Sequence, residues 1–163
     1  MRYAYPCLIE RDVEEFRATG REAYVITFRD VQGAISCGWS WPEALEMAED
    51  CLDVALSWYM DDDVAPPPPS PLQTGEVMVA ATPIMAGKLA ICSAMREQGL
   101  TRSDLAERMD VDDEKVCRLL DPRYRTHLTI VQRALAAVGR SLVVEDCAVA
   151  PPPESVAAGA EVR

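Results

Sequence analysis

The segment YVITFRDVQGAISCGWSWPEALEMAEDCLDVALSWYM, residues 24–60, contains the pattern from which the architecture of the first half of the chain follows. Residues 24–30 and 34–40 are rich in β-branched and aromatic side chains, which favours strands. Between them lies VQG, a three-residue connection whose Gly33 can adopt a positive φ. We therefore expect a hairpin here, followed by a helix.

The second part of this segment predicts an amphipathic helix. Ser40 and Glu43 have capping-box spacing, and Pro42 is tolerated in the first helical turn. The apolar positions form one stripe, which we expect to pack on the sheet: Ala44, Ala48, Cys51, Leu52, Ala55, Leu56 and Tyr59. Another face is polar and mostly acidic, with Glu43, Glu46, Glu49, Asp50, Asp53 and Ser57.

Flanking segments extend this unit to the order β-β-β-α-β. YAYPCLIERD (3–12) predicts a strand before the hairpin, and EVMVAAT (76–82) alternates well enough for a strand that can return to the same sheet. The intervening residues 61–74, DDDVAPPPPSPLQT, are too rich in proline and charge for a helix or an inner strand. They predict an extended, polyproline-like connector. We expect residues 1–82 to form one αβ domain that contains this connector.

The second half of the chain, residues 83–145, changes to a helical pattern. Gly99 and Gly139 each follow an apolar run, as C-cap glycines do. Thr101 can cap a helix, with Asp104 three residues later. The pattern predicts four helices: 83–99, 101–109, 113–120 and 129–139.

The C-terminal end of the chain has weaker signals. SLVVED, residues 141–146, is compatible with a last strand, and residues 146–163 are small, Pro-rich and aperiodic, which predicts a disordered tail. The whole chain is therefore predicted to be α+β, with an αβ domain followed by an all-α domain.

Charge is distributed unevenly along this chain of formal net charge −11. Residues 1–65 carry 5 Lys and Arg against 14 Asp and Glu, a net charge of −9, whereas residues 77–145 carry 10 against 9, a net charge of +1. The second half can therefore approach a polyanion. No apolar run reaches the roughly 18 residues that a membrane span needs, so no membrane association is expected.

Cysteine and histidine usage gives no sign of a metal site. The only histidine, His127, has no cysteine or second histidine within helical reach. The six cysteines are scattered, and each lies beside apolar residues as a core thiol does: Cys7, Cys37, Cys51, Cys92, Cys117 and Cys147. We expect a reduced, cytoplasmic protein that holds neither a metal nor a cofactor.

Both halves, in this order, resemble the HicB antitoxins of toxin–antitoxin systems. Residues 24–59 resemble the HicB-type pattern of a strand ending near F-x-D-x-x-G, a short strand, and a helix that opens x-x-E-A-L-x-x-A. GLTRSDLAERMDVDDEKVCRLLDPRYR, residues 99–125, is similar to the phage-repressor-like helix-turn-helix that one branch of these antitoxins carries. The resemblance covers nearly the whole chain apart from the tail.

This resemblance implies a partial RNase H-like αβ domain that blocks a HicA-type toxin, a small basic ribonuclease that cleaves mRNA. It also implies a helix-turn-helix domain that represses its own operon by binding the operator as a dimer, or as a higher oligomer. The protein is then a binding protein without catalytic residues. Because the implied partner is basic, the acidic helix face and a nearby tryptophan become candidate toxin-binding residues: Glu43, Glu46, Glu49, Asp50, Asp53 and Trp39.

The predicted recognition helix, 113–120, departs from the repressor pattern at its start. Asp113 and Glu114 occupy positions where Gln, Ser or Arg often contact bases in the repressors it resembles, and Asp110 stands where their turn often has glycine. Carboxylates near a helix N-terminus interact favourably with the helix dipole, and we assign the two acids this role. Five surrounding cations are the candidate DNA-binding residues: Arg102, Lys115, Arg118, Arg123 and Arg125.

Other interpretations stay open on the sequence alone. The acidic row also fits a solvated helix face, and Trp39, Trp41 and Trp58 fit a core better than an interface. The alternative function is a free-standing helix-turn-helix regulator whose acidic half is a sensor or dimerisation domain. A metal-dependent nuclease is a third, and it requires three carboxylates near the strands to converge: Asp12, Glu22 and Asp30.

Overall fold

The computed structural model describes residues 3–145 and Pro151. Its four strands are β1 (Ala4–Arg11), β2 (Tyr24–Phe28), β3 (Ile35–Gly38) and β4 (Glu76–Ala80). They form one antiparallel sheet in the order β3-β2-β1-β4. Because β4 pairs with β1, the prediction that the chain returns to its first sheet after the connector is confirmed.

Six helices accompany the sheet within the described residues, so the fold is mixed α and β as expected. Three lie in the first part or at its border: α1 (Val13–Thr19), α2 (Trp41–Asp61) and α3 (Pro83–Gln98). Three shorter ones follow: α4 (Arg102–Met109), α5 (Asp113–Leu120) and α6 (Leu128–Ala137).

One face of the sheet is buried against α2. Cys7 and Ile9 of β1 lie opposite Phe28 and Ile26 of β2, and all four are buried. The predicted apolar stripe of α2 covers them, since its members are buried or packed against this core: Ala44, Ala48, Cys51, Leu52, Ala55, Leu56 and Tyr59. The helix approaches β3 so closely that a Cβ on Gly38 would lie 2.7 Å from the backbone of Ala44.

The polar face of α2 differs from the prediction at one position. Ser57 is buried rather than solvated, and its hydroxyl donates to the carbonyl of Val54 at 2.7 Å. A serine can be buried in a helix because a backbone carbonyl one turn earlier satisfies its hydroxyl.

Helix α1 was not predicted from the sequence. The side chain of Asp12 accepts hydrogen bonds from the backbone N–H groups of Glu14 and Glu15, and Gly20 ends the helix at φ 71°. None of its seven residues is buried. A helix of two turns that buries nothing has no apolar stripe, so hydrophobic periodicity cannot reveal it.

The Pro-rich connector lies against the αβ part rather than free in solvent. Helix α2 extends through Asp61, so only the segment after it is irregular as predicted. The Tyr5 hydroxyl donates to the carbonyl of Pro67 at 2.9 Å, and Asp30 accepts from both the backbone and the hydroxyl of Ser70. These bonds hold the connector on the sheet and the β2–β3 turn.

Helices α3 to α6 surround a second apolar cluster. The capping box at the start of α4 is present as predicted, since Thr101 and Asp104 bond reciprocally. Gly99 ends α3 in the left-handed conformation, at φ 65°. The largest side chains of this cluster are buried ones from all four helices: Ile91, Met95, Leu105, Met109, Val116, Leu119, Val131 and Leu135.

Some expectations for the C-terminal end and the cysteines need correction. Residues 141–145 form no strand, and the remainder of that predicted strand and most of the predicted tail (146–163) lie outside the described residues. Cys37 and Cys117 are exposed rather than core thiols, whereas Cys7 is buried as expected. An apolar neighbour in sequence does not bury a cysteine, because neighbours in a strand point to opposite faces and neighbours in a helix point in different directions around the axis.

Candidate functional sites

The acidic row of α2 is largely open to solvent. Glu46, Glu49 and Asp50 are exposed, and no hydrogen bond or ion pair among the described residues involves them. Burial raises the pKa of Glu49, with a further contribution from the nearby negative charges of Asp53 and Asp50. The repulsion indicates that the carboxylates of Glu49, Asp50 and Asp53 lie close enough to interact.

Two predicted members of the row are engaged within the chain. Glu43 is half-buried, and its carboxylate accepts from the backbone N–H of Trp39 at 2.9 Å. Asp53 is also half-buried and accepts from the backbone N–H of Thr82 at 3.0 Å and from its hydroxyl at 2.6 Å. Burial raises the pKa of Asp53 more than these hydrogen bonds lower it. Asp53 therefore fastens α2 to the start of α3.

The three tryptophans do not share one environment: Trp41 packs on the core, whereas the other two are exposed. Trp41 packs against the main core with its ring 5.7 Å from that of Tyr24, in an edge-on arrangement. Trp39 and Trp58 are exposed at 52% and 50%, so the expectation that they lie in the core is wrong for both. Both are available to a partner, and Trp58 was not among the predicted site residues.

The α4–turn–α5 segment orients α5 with two buried side chains. Val116 and Leu119 face the second cluster, which leaves Lys115 and Arg118 exposed on the other side. The turn between the helices contains Asp110 in the left-handed conformation, at φ 53° and ψ 55°. A glycine would adopt this conformation without steric cost, so the aspartate is a genuine departure at the turn.

The acids at the start of α5 form local partnerships. Asp112 occupies the N-cap position but makes no capping hydrogen bond, and its carboxylate pairs instead with Lys115 at 3.2 Å. Glu114 pairs with Arg118 one turn later. Asp113 accepts from the hydroxyl of Ser103 at 2.8 Å and so joins α5 to α4. These contacts add to the helix-dipole role that the sequence suggested.

The remaining predicted DNA-binding cations differ in their surroundings. A guanidinium nitrogen of Arg102 lies 3.9 Å from the sulfur of Cys117. Both terminal nitrogens of Arg123 donate to the carboxylate of Asp61, at 2.6 and 3.2 Å, and this contact links the loop after α5 to the end of α2. Arg125 is exposed and makes no hydrogen bond or ion pair among residues 3–145.

A buried lysine holds the loop that carries these last two arginines. Lys88 of α3 is only 1% exposed, and its Nζ donates to the carbonyls of Asp121 and Tyr124 at 2.6 and 2.7 Å. Burial lowers its pKa. Beside it a cavity of about 490 Å³ is lined by residues of both parts, including Asp53 and His127. No sequence pattern predicts this buried lysine, because its partners are backbone atoms.

The carboxylates considered for a metal-dependent nuclease serve separate purposes. Asp12 caps α1, Glu22 pairs with Arg11 at 3.0 Å, and Asp30 binds Ser70. Among the described residues, no group of three or more His, Cys, Asp or Glu side chains could hold a metal ion. The same part of the chain contains no helix long and apolar enough to cross a membrane.

Known proteins provide the deciding comparison. A family described as HicB-like antitoxins of bacterial toxin–antitoxin systems matches residues 5–90, which is more than half of the 163 residues. The chain belongs to the HicB-like antitoxin family. The match spans all of the sheet except Ala4, together with α1, α2 and the first half of α3.

Individual HicB antitoxins are similar over longer stretches. Antitoxin HicB 1 of Photorhabdus laumondii is 33% identical over 140 residues, which cover 86% of this chain and 84% of that protein. Antitoxin HicB of Escherichia coli K12 is 29% identical over 119 residues, or 73% of this chain and 86% of the relative. Antitoxin HicB of Pseudomonas fluorescens is 30% identical over 103 residues, which cover 63% of this chain and 70% of that protein. The role of antitoxin in a toxin–antitoxin system follows from this family.

Proposed function

We propose that this HicB-like antitoxin neutralises a small basic HicA-type ribonuclease by covering its active site, and that it represses its own operon as an operator-bound dimer. The observation that carries the first part is the set of exposed, unpaired carboxylates on α2, Glu46, Glu49 and Asp50, in a chain of the antitoxin family. An unpaired negative face attracts and orients a basic partner. Neutralisation is by occlusion, so the antitoxin needs no catalytic residue, metal or cofactor.

We infer a division of labour between two domains of this protein in the cytoplasm. Residues 1–82 form a partial RNase H-like domain for the toxin, and residues 83–145 form a phage-repressor-like helix-turn-helix domain for DNA. The two separate apolar clusters support a division into two domains, with α3 shared between them: Met85 and Leu89 lie in the first cluster, and Ile91 and Met95 lie in the second. Support for DNA binding comes from the exposed Lys115 and Arg118 on α5, opposite its buried side. A dimer is expected because one such module reads only a half-site.

Co-expression tests the antitoxin function. Cells that produce the HicA-type toxin should grow when the full chain is produced with it, and should stop growing with an empty vector. Growth arrest in both cases contradicts neutralisation.

Gel shifts test the repressor function. The full chain should bind a duplex from its own upstream region more tightly than a scrambled duplex of equal length, and sedimentation should show a dimer at micromolar concentration. Equal affinity for both duplexes contradicts operator binding, and a stable monomer that still binds the upstream duplex contradicts the dimer.

A further inference from the structure

The solvent face of α2 carries four exposed residues at intervals of four: Glu46, Asp50, Val54 and Trp58. Residues four apart are neighbours on a helix surface, so these four form a continuous line, the α2 ridge. Its N-terminal half is acidic. Its C-terminal half is apolar, with Val54 exposed at 58% and Trp58 at 50%.

Trp58 already packs on one side against the β2–β3 turn. A Cβ added to Gly33 in the β2–β3 turn would lie 3.1 Å from its Cζ3 atom, so the indole rests on the turn backbone. The residue as a whole is 50% exposed. An aromatic side chain that is already packed on one side loses less conformational entropy on binding than a fully free one, which favours its use as an interface anchor.

We propose that the α2 ridge is the surface on which the basic toxin docks, with Trp58 as its apolar anchor and Val54 beside it. This inference rests on the proposed antitoxin function. The partner that fits is a basic protein with an apolar recess, because its cations would face Glu46 and Asp50 while the recess takes the indole. A second copy of this chain fits poorly, since it would bring the same acidic row towards a molecule of net charge −11.

A matched control exists on the other side of the sheet. Ile35 is even more exposed, at 67%, and pairs with Thr27 on the face that points away from α2. Changing it alters exposed apolar area by a similar amount without touching the ridge.

The experiment measures the affinity of the full-length antitoxin for a HicA-type nuclease whose catalytic histidine has been replaced, so that cells can produce it. Trp58→Ala should weaken binding by roughly 30-fold or more, the level of a hot spot. Val54→Lys should weaken it at least about tenfold, because it adds a positive charge where the basic partner docks. Trp58→Phe should keep most of the affinity, and Ile35→Lys should stay within about twofold of the wild type.

The outcomes separate the two proposals. If the wild type binds and Trp58→Ala and Val54→Lys bind equally well, the ridge is wrong and the antitoxin function stands. If the wild type does not bind the nuclease, the antitoxin function fails and the ridge with it. Should Trp58→Ala fail to fold by circular dichroism, the exposed Val54→Lys decides. A change in the sedimentation of free Val54→Lys with unchanged toxin affinity identifies the ridge as a contact between copies and overturns the proposal.

Discussion

Two regions of this antitoxin carry clusters of carboxylates, and the structure treats them differently. On α2 the exposed acids Glu46, Glu49 and Asp50 pair with no cation among the described residues. At the start of α5, Asp112 pairs with Lys115, Glu114 pairs with Arg118, and Asp113 accepts from a hydroxyl of α4. The same residue type is a free negative surface in one place and a locally neutralised one in the other.

The charge that each surface presents depends more on the position of the nearest cation than on the number of acids. An unpaired row projects its field over about a Debye length, roughly 10 Å at 0.1 M salt. A pair of opposite charges largely cancels at that distance. The acids of α5 therefore do not by themselves prevent an approach to DNA, whereas those of α2 repel DNA and attract a basic protein.

Removing the charge of the α2 row should have the largest effect. The triple variant Glu46→Gln, Glu49→Gln and Asp50→Asn should associate with toxin about 10- to 100-fold more slowly at low salt, because electrostatic steering is lost. The control removes the same three charges from α5, with Asp112→Asn, Asp113→Asn and Glu114→Gln, and should associate nearly normally. Stopped-flow measurements at two salt concentrations compare them. Equal slowing in both triples means that net charge, rather than the α2 row, steers the toxin.

Loss of Arg118 should have the next largest effect, and on DNA alone. Arg118→Ala should weaken operator binding by about 1 to 3 kcal/mol if the side chain contacts a base, and relax specificity at that base. Arg17→Ala, an exposed arginine on α1, is the control and should leave the operator affinity unchanged. Gel shifts provide the measurement. Normal binding by Arg118→Ala excludes α5 as the recognition helix.

Separating one pair on α5 should give a smaller change of opposite sign. Glu114→Gln releases Arg118 from its carboxylate, so affinity for non-specific duplex should rise a few-fold, while the unfolding free energy falls by about 0.3 to 0.5 kcal/mol. Glu46→Gln on α2 removes the same charge far from the motif and should change DNA affinity much less. If Glu114→Gln and Glu46→Gln change the affinity for non-specific duplex equally, the proposed contrast between α5 and α2 is wrong.

The smallest effect should appear in the pH dependence of stability. The pKa of Asp53 is raised above 3.8 by burial, so folding favours its protonated form, and its contribution to stability declines as pH rises from about 3.8 through the folded pKa. The pKa of Asp61 is lowered by the hydrogen bond from Arg123, so its contribution is present above 3.8 and is lost as pH falls through the folded pKa. Urea unfolding at a series of pH values measures how the free energy of unfolding changes with pH. Asp53→Asn and Asp61→Asn should change the slope of that dependence in opposite directions. Slopes that change in the same direction contradict this assignment.

The fold was largely predictable because most elements bury an apolar stripe. The α2 stripe and the return of β4 to the sheet follow from the 3.6-residue period of one segment and the alternation of another. Helix α1 was not predicted, because it buries no side chain and so has no apolar stripe. The candidate site was predictable only in part, because contacts such as Asp53 with Thr82, 29 residues apart, and Asp61 with Arg123, 62 apart, depend on tertiary packing. The α2 ridge, in contrast, has a signal in the sequence, namely two large apolar residues at helical spacing on the acidic face.

The Pro-rich connector has a consequence for the free energy of closing the sheet. Residues 66–69 are four successive prolines, and they lie between the end of α2 and the start of β4. Each proline fixes one backbone angle in the unfolded chain as well as in the folded one, and a proline that fits its native position stabilises a protein by about 0.4 to 1 kcal/mol. The loop therefore loses less conformational entropy when β4 joins β1 than a flexible loop of equal length does. The Pro-rich connector thus lowers the entropic cost of pairing β4 with β1.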